Sequence, residues 1–134
     1  MKNTLIVLFI LIMSSNYSFS QYTLEIEITP IRNNVGKIML QVFNEKENVI
    51  AEKMGTIKEQ SCSFSVKNLK PGKYAIRYYH DENLNSVMET NMVGKPTEGY
   101  GFSNNVTDTF GPPPFEKWLF VFNGDKKVVL KPVY

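Results

Sequence analysis

Residues 61–80, SCSFSVKNLKPGKYAIRYYH, alternate apolar and polar side chains twice, on either side of a Pro-Gly turn. Cys62, Phe64 and Val66 share one face against Ser61, Ser63 and Ser65. Beyond Pro71-Gly72, Tyr74, Ile76 and Tyr78 share a face against Ala75, Arg77 and Tyr79. A two-residue period marks half-buried β-strands, because successive side chains leave a pleated backbone on opposite sides. The rhythm recurs outward: Leu24, Ile26 and Ile28 alternate with Thr23, Glu25 and Glu27, and Ile38, Leu40 and Val42 with Lys37, Met39, Gln41 and Phe43. Pro30 ends the first run, and Asn33-Asn34 with Gly36 supply turn chemistry. A weaker strand follows over residues 49–54. Residues 118–122 and 126–133 flank Asn123-Gly124-Asp125, where Asn-Gly predicts a tight hairpin. No window sustains a helical period. About seven short strands predict an all-β fold, a single antiparallel β-sandwich.

The first twenty residues read differently. Lys2, an apolar run over residues 5–13 and the close Ser18-Phe19-Ser20 have the parts of a secretory leader. The run is short for a bilayer, which takes roughly 20 apolar residues. Cleavage after Ser20 leaves residues 21–134 as one exported domain, in the periplasm, on the cell surface or outside the cell, with no stable membrane insertion. Fifteen basic residues less Lys2, against 13 acidic ones, leave a net charge of +1. That balance lacks the basic stripe of a nucleic-acid binder. Cys62 stands alone, so no internal disulfide forms, and its place on an apolar strand face predicts a buried, unreactive thiol.

Residues 81–115 form an unusually long connection rich in Gly and Pro, and loops of that length in compact domains carry function or their own internal order. It opens Asp81-Glu82-Asn83-Leu84-Asn85-Ser86-Val87-Met88-Glu89. Oxygen side chains at its first, third, fifth and ninth positions have the spacing with which one loop curls around a hard cation such as calcium. Asp81, Asn83, Asn85 and Glu89 would supply side-chain oxygens, Val87 its carbonyl, and Met88 a hydrophobic pin. An EF-hand loop would carry Gly at position 6 and Glu at position 12, where this chain has Ser86 and Met92. The competing reading is an Asx-rich turn that hydrogen-bonds its own backbone. Further along, Tyr100, Phe102, Phe110 and Phe115 lie among glycines and Pro112-Pro113-Pro114. They form either a ligand platform or a plug that closes the sandwich.

The runs Pro71-Gly72-Lys73-Tyr74-Ala75, His80-Asp81-Glu82-Asn83, Gly94-Lys95-Pro96, Glu98-Gly99-Tyr100-Gly101-Phe102-Ser103-Asn104 and Phe110-Gly111-Pro112-Pro113 resemble the bacterial domain of unknown function 2141. The resemblance implies an exported single-domain protein with no established activity. The turn at residues 69–74 is similar, more weakly, to transthyretin-like and carboxypeptidase-regulatory sandwiches, which implies an immunoglobulin- or transthyretin-like arrangement. The loop typical of the resembled family reads His-Asp-Glu-Asn-Gly-Asn-Gly. This chain has Leu84 and Ser86 in place of the two glycines, which makes left-handed backbone costlier there.

Three functions follow as expectations. The first is a non-enzymatic module that presents the long loop to a protein, peptide or glycan, with a calcium-stabilised turn as an added feature. The second is a purely structural protein of the cell envelope. The third is a metal-dependent hydrolase built on His80 with Asp81, Glu82 and Glu89. It lacks a second His and any nucleophile with a partner motif, and a hydrogen-bonded histidine anchoring the loop is the simpler reading. Asn105-Val106-Thr107 fits a glycosylation sequon and suggests a surface position. Composition is silent on oligomeric state.

Overall fold

The computed structural model describes residue 18 and residues 20–134. The leader expected over residues 1–20 falls almost wholly outside them. Among the described residues no helix is long and apolar enough to cross a membrane. Eight strands follow in order: β1 (Tyr22–Ile28), β2 (Lys37–Asn44), β3 (Val49–Thr56), β4 (Cys62–Leu69), β5 (Gly72–Asp81), β6 (Tyr100–Phe102), β7 (Phe120–Phe122) and β8 (Lys126–Leu130). They form two sheets. The smaller has the order β4-β1-β8, and the larger has the order β3-β2-β5-β6, with β7 also on β5.

The expected alternation decides which face each strand buries. Leu24, Ile26 and Ile28 from β1, Ile38, Leu40 and Val42 from β2, and Tyr74, Ile76 and Tyr78 from β5 meet between the sheets with Phe64, Val66, Phe122 and Leu130. Cys62 lies in this core, and burial pushes its thiol up to about 11. Pairing is antiparallel throughout except that β1 and β8 run parallel, Leu24 opposite Lys126 and Ile28 opposite Leu130. Parallel neighbours need a long crossover, and here nearly the whole chain supplies it.

Three local expectations are corrected. Asn123-Gly124 joins β7 to β8, but these strands do not pair with each other: β7 lies on β5 and β8 on β1. The turn is a corner between sheets. The run expected over residues 118–122 begins only at Phe120, because the Trp118 N–H closes a 3₁₀ turn on the Phe115 carbonyl at 2.9 Å. Likewise β8 ends at Leu130, and Val133 crosses to exchange hydrogen bonds of 3.0 and 2.8 Å with Tyr100.

Strand β5 meets β6 over residues 77–79 and β7 over residues 72–74, so its ladder has a gap between them. Ser103 fills the gap: its hydroxyl accepts the Ile76 N–H at 2.9 Å and donates to the Trp118 carbonyl. Next to it, Asn104 sits at φ 62, a left-handed conformation Asn tolerates, and its amide donates to the carbonyls of Lys117 and Leu119, both at 2.9 Å. The Asn105 side chain accepts the Lys131 N–H at 2.8 Å. The sequon asparagine is thus part of a structural clasp.

Asn104→Ala removes two hydrogen bonds and puts a Cβ-bearing residue with no local partner at positive φ. It should cost about 2–3 kcal/mol in urea unfolding. The Cys62 thiol should resist alkylation at neutral pH and react at the full rate only above the unfolding midpoint.

Candidate functional site

The last two residues of β5 leave on opposite faces. His80 points into the core and is fully buried. Its Nε2–H donates to the Val35 carbonyl at 2.6 Å, which can only accept, so Nδ1 is the acceptor for the Tyr134 hydroxyl at 3.0 Å. Tyr134 in turn accepts the Arg32 N–H at 3.1 Å, and the Arg32 guanidinium lies 4.6 Å from the centre of its ring. Burial pushes the Tyr134 hydroxyl up, against the opposing pull of Arg32. Glu82 pairs with Arg32 and accepts from the Asn33 amide at 3.2 Å, while its carboxylate stays 3.7 Å from His80 Nδ1. His80 thus has both ring nitrogens committed and faces away from Asp81. The four residues of the hydrolase reading do not converge on one cavity.

Asp81 faces outward but is only 2% exposed, because the loop folds over it. Its carboxylate accepts the N–H groups of Asn85 and Ser86 at 3.1 and 2.9 Å. Asn83 Oδ1 accepts the Asn85 N–H at 3.2 Å, and Asn85 Oδ1 accepts the Val87 N–H at 2.9 Å. Both amides then donate to Glu89 Oε1, at 2.9 and 2.8 Å. Asp81, Asn83, Asn85 and Glu89 are therefore brought together, and Val87 joins the network through its N–H. The curl needs φ of 60° at Leu84 and 61° at Ser86, the two positions where glycine would be unstrained. Among the described residues, no group of three or more His, Cys, Asp or Glu side chains is placed to hold a metal ion.

One residue of this region escaped the sequence reading. The β5–β6 register pairs Tyr79 with Tyr100 and continues through the His80 N–H to the Gly99 carbonyl at 2.7 Å. Just before this stretch, Glu98 reaches the root of the 81–89 loop. Glu98 is 5% exposed; its Oε1 accepts the Glu82 N–H at 3.0 Å and its Oε2 has no hydrogen-bond partner. Burial raises the Tyr79 hydroxyl, and the charges of Asp81 and Glu98 add to the effect. No local pattern marks Glu98, since only the tertiary fold brings its carboxylate to the Glu82 N–H.

The four aromatics separate. Phe102 is buried with Phe43, Ala75 and Trp118, and Tyr100 and Phe115 pack against that second core. The rings of Phe102 and Trp118 lie 4.3 Å apart, and Trp118 Nε1 donates to the Pro113 carbonyl at 2.9 Å. Phe110 alone stands in solvent, 93% exposed. Between this plug and the 81–89 loop, the outer face of the larger sheet carries an open groove of about 610 Å³, lined by Met39, Gln41, Met54, Arg77, Tyr79 and Met88. Met88, expected to pin the loop to the core, instead walls this groove. Across its floor Arg77 donates to Gln41, whose amide donates to Glu52 at 2.7 Å.

A family model described as "Uncharacterized protein conserved in bacteria (DUF2141)" matches residues 26–130, from within β1 to the end of β8. No curated protein and no solved structure matches the chain.

Leu84 is 60% exposed at φ 60, so Leu84→Gly relieves backbone strain while losing little packing. It should stabilise the protein by about 0.5–1 kcal/mol in urea unfolding.

Proposed function

The chain belongs to the DUF2141 family, and from that premise we propose that it is an exported, non-enzymatic β-sandwich module that binds a partner through the groove beside its long loop. The observation that carries this reading is the groove itself: three methionines and a tyrosine surround a polar floor of Gln41, Glu52 and Arg77. Methionine side chains adapt to irregular apolar partners, and tyrosine with arginine makes strong anchors. Strand β3 bounds the same sheet as an open edge, with Met54 59% exposed on it. An edge strand next to apolar pockets suits an extended peptide segment, and Tyr79 also offers a face to a glycan. Export rests on the leader-like first twenty residues. A purely structural envelope role draws on a different observation, the use of Phe102, Trp118 and Phe115 as core.

The test is a screen of peptide and glycan libraries, followed by titration of hits while the methionine methyl resonances are recorded. Hits should shift Met39, Met54 and Met88. Tyr79→Ala and Arg77→Ala should each weaken binding about tenfold or more, as expected for an anchor residue. Absence of any ligand, or ligands indifferent to both substitutions, would leave the structural role.

A further inference from the structure

We propose that the groove receives the C-terminal residue of an extended peptide, with Arg77 taking its terminal carboxylate and the methionines its apolar side chain. The inference rests on the reading of the groove as a binding site, and adds which kind of chain end enters it. The strand registers lay the floor out in two rows. Met54, Met39 and Tyr79 pair across β3, β2 and β5 in one, and Glu52, Gln41 and Arg77 in the other. The rows stand two residues apart, about 6–7 Å along the strands. An apolar row beside a polar one suits a residue that offers an apolar side chain next to a charged group.

The polar row is preorganised for an anion. Arg77 donates from Nε, at 3.2 Å, and from Nη2 to one oxygen, Gln41 Oε1. The nitrogen of the same amide donates to Glu52 Oε1 at 2.7 Å, which keeps the Gln41 oxygen turned toward Arg77. The guanidinium also lies 5.4 Å from the centre of the Phe43 ring. Glu52 is therefore a positioning residue: it orients Gln41, and Gln41 orients Arg77. Both bonds of Arg77 use Nε and Nη2, which leaves the N–H groups of Nη1 for a ligand. An arginine held in this way gives up little further freedom on binding, and its planar fork matches a carboxylate. Lys53 and Arg77 against Glu52 give the lining a net charge of +1. That balance fits one carboxylate better than a phosphate, which carries more charge.

The surroundings select a chain end. The lining comes from β3, β2, β5 and the 81–89 loop, and among the described residues none of it comes from β6. Those three strands span about 10 Å. Beyond Arg77 the register sets Phe102, which is buried against Trp118. Along β2 and β5 the polar row is followed by Phe43 and Ala75, which belong to the same second core. On the opposite side the loop closes the groove through Ser86 and Met88. The floor is open over the free edge of β3. A peptide that crosses this edge ends at β5, with its last carboxylate beside Arg77. Capture of a terminal carboxylate is an established mode of peptide recognition. A glycan chain or an internal peptide segment would need an exit past β5, where the second core stands.

The experiment titrates the purified full chain with short peptides ending in Leu, Ile, Met, Phe or Tyr, each made as the free acid and as the C-terminal amide. A glycan panel runs alongside, and the methyl resonances of Met39, Met54 and Met88 report binding. Free acids should bind about tenfold or more tightly than their amides, because the amide loses a charge-assisted bond. Arg77→Ala should abolish that difference, and Arg77→Lys should reduce it, since lysine keeps the charge without the fork. Glu52→Ala makes the groove more positive, yet it should weaken the free acids, because Gln41 and Arg77 lose their support. Amides that bind as well as the acids overturn the proposal, as does a preference for acids that survives Arg77→Ala. Methyl shifts from glycans alone also overturn it, and in each of these cases the groove remains a binding site for another chemistry. If neither peptides nor glycans move the methyl resonances, the reading of the groove falls with it.

Discussion

The period-two alternation of β5 persists to its last residue, and the rest of the structure depends on it. Because side chains leave a strand on opposite faces, Tyr74, Ile76, Tyr78 and His80 enter the core, while Ala75, Arg77, Tyr79 and Asp81 build the outer surface. A slip of one residue would exchange these sets, exposing three rings and an isoleucine and burying an arginine. The register is held from both sides. Eight consecutive pairs join β5 to β2, and β6 and β7 divide the opposite edge between them. The closed network around His80 and the open curl that begins at Asp81 are consequences of the same backbone geometry.

Glycines in and just before β6 show how tightly the inner face is filled. A Cβ on Gly99 would lie 2.3 Å from the Tyr134 ring, and one on Gly101 would lie 2.3 Å from the Tyr78 hydroxyl. The glycines interleaved with Tyr100 and Phe102 therefore do let backbone and aromatic rings meet. The rings they receive come from β5 and from the final residue, while Tyr100 and Phe102 turn outward to the second core. At the other end of β2, a Cβ on Gly36 would lie 2.1 Å from the Asp81 carbonyl, at a φ of +76. Close packing thus surrounds the root of the loop from two directions, and leaves the curl beyond it as the more accessible part.

The His80 side and the Asp81 side satisfy their polar groups differently. On the inner side the donors around His80 each meet an acceptor, Arg32 N–H to Tyr134, Tyr134 to His80 and His80 to Val35, while the neighbouring Tyr78 hydroxyl is buried without a partner. A buried network completed in this way rigidifies its surroundings. On the outer side, two left-handed non-glycine residues and an unpartnered carboxylate oxygen remain. Strain and unmet polar demand concentrate in functional segments more than in structural ones.

By itself the sequence determined the sandwich, the faces of β1, β2, β4 and β5, the burial of Cys62, and the grouping of Asp81, Asn83, Asn85 and Glu89. Each follows from spacing within a single strand or turn, where the backbone repeat converts position directly into direction. Family membership was legible for the same reason, through short runs such as His80-Asp81-Glu82-Asn83. Only the tertiary structure decided that Asn123-Gly124 turns between sheets, that β8 runs parallel to β1, that Phe102 is core while Phe110 is exposed, and that the Glu98 carboxylate is buried on the Glu82 N–H. Those facts depend on which strand edges remain free once β5 has taken its neighbours, and on pairings between residues far apart in the chain. Local periodicity carries no record of such choices, because the same alternating strand can hydrogen-bond to any compatible edge.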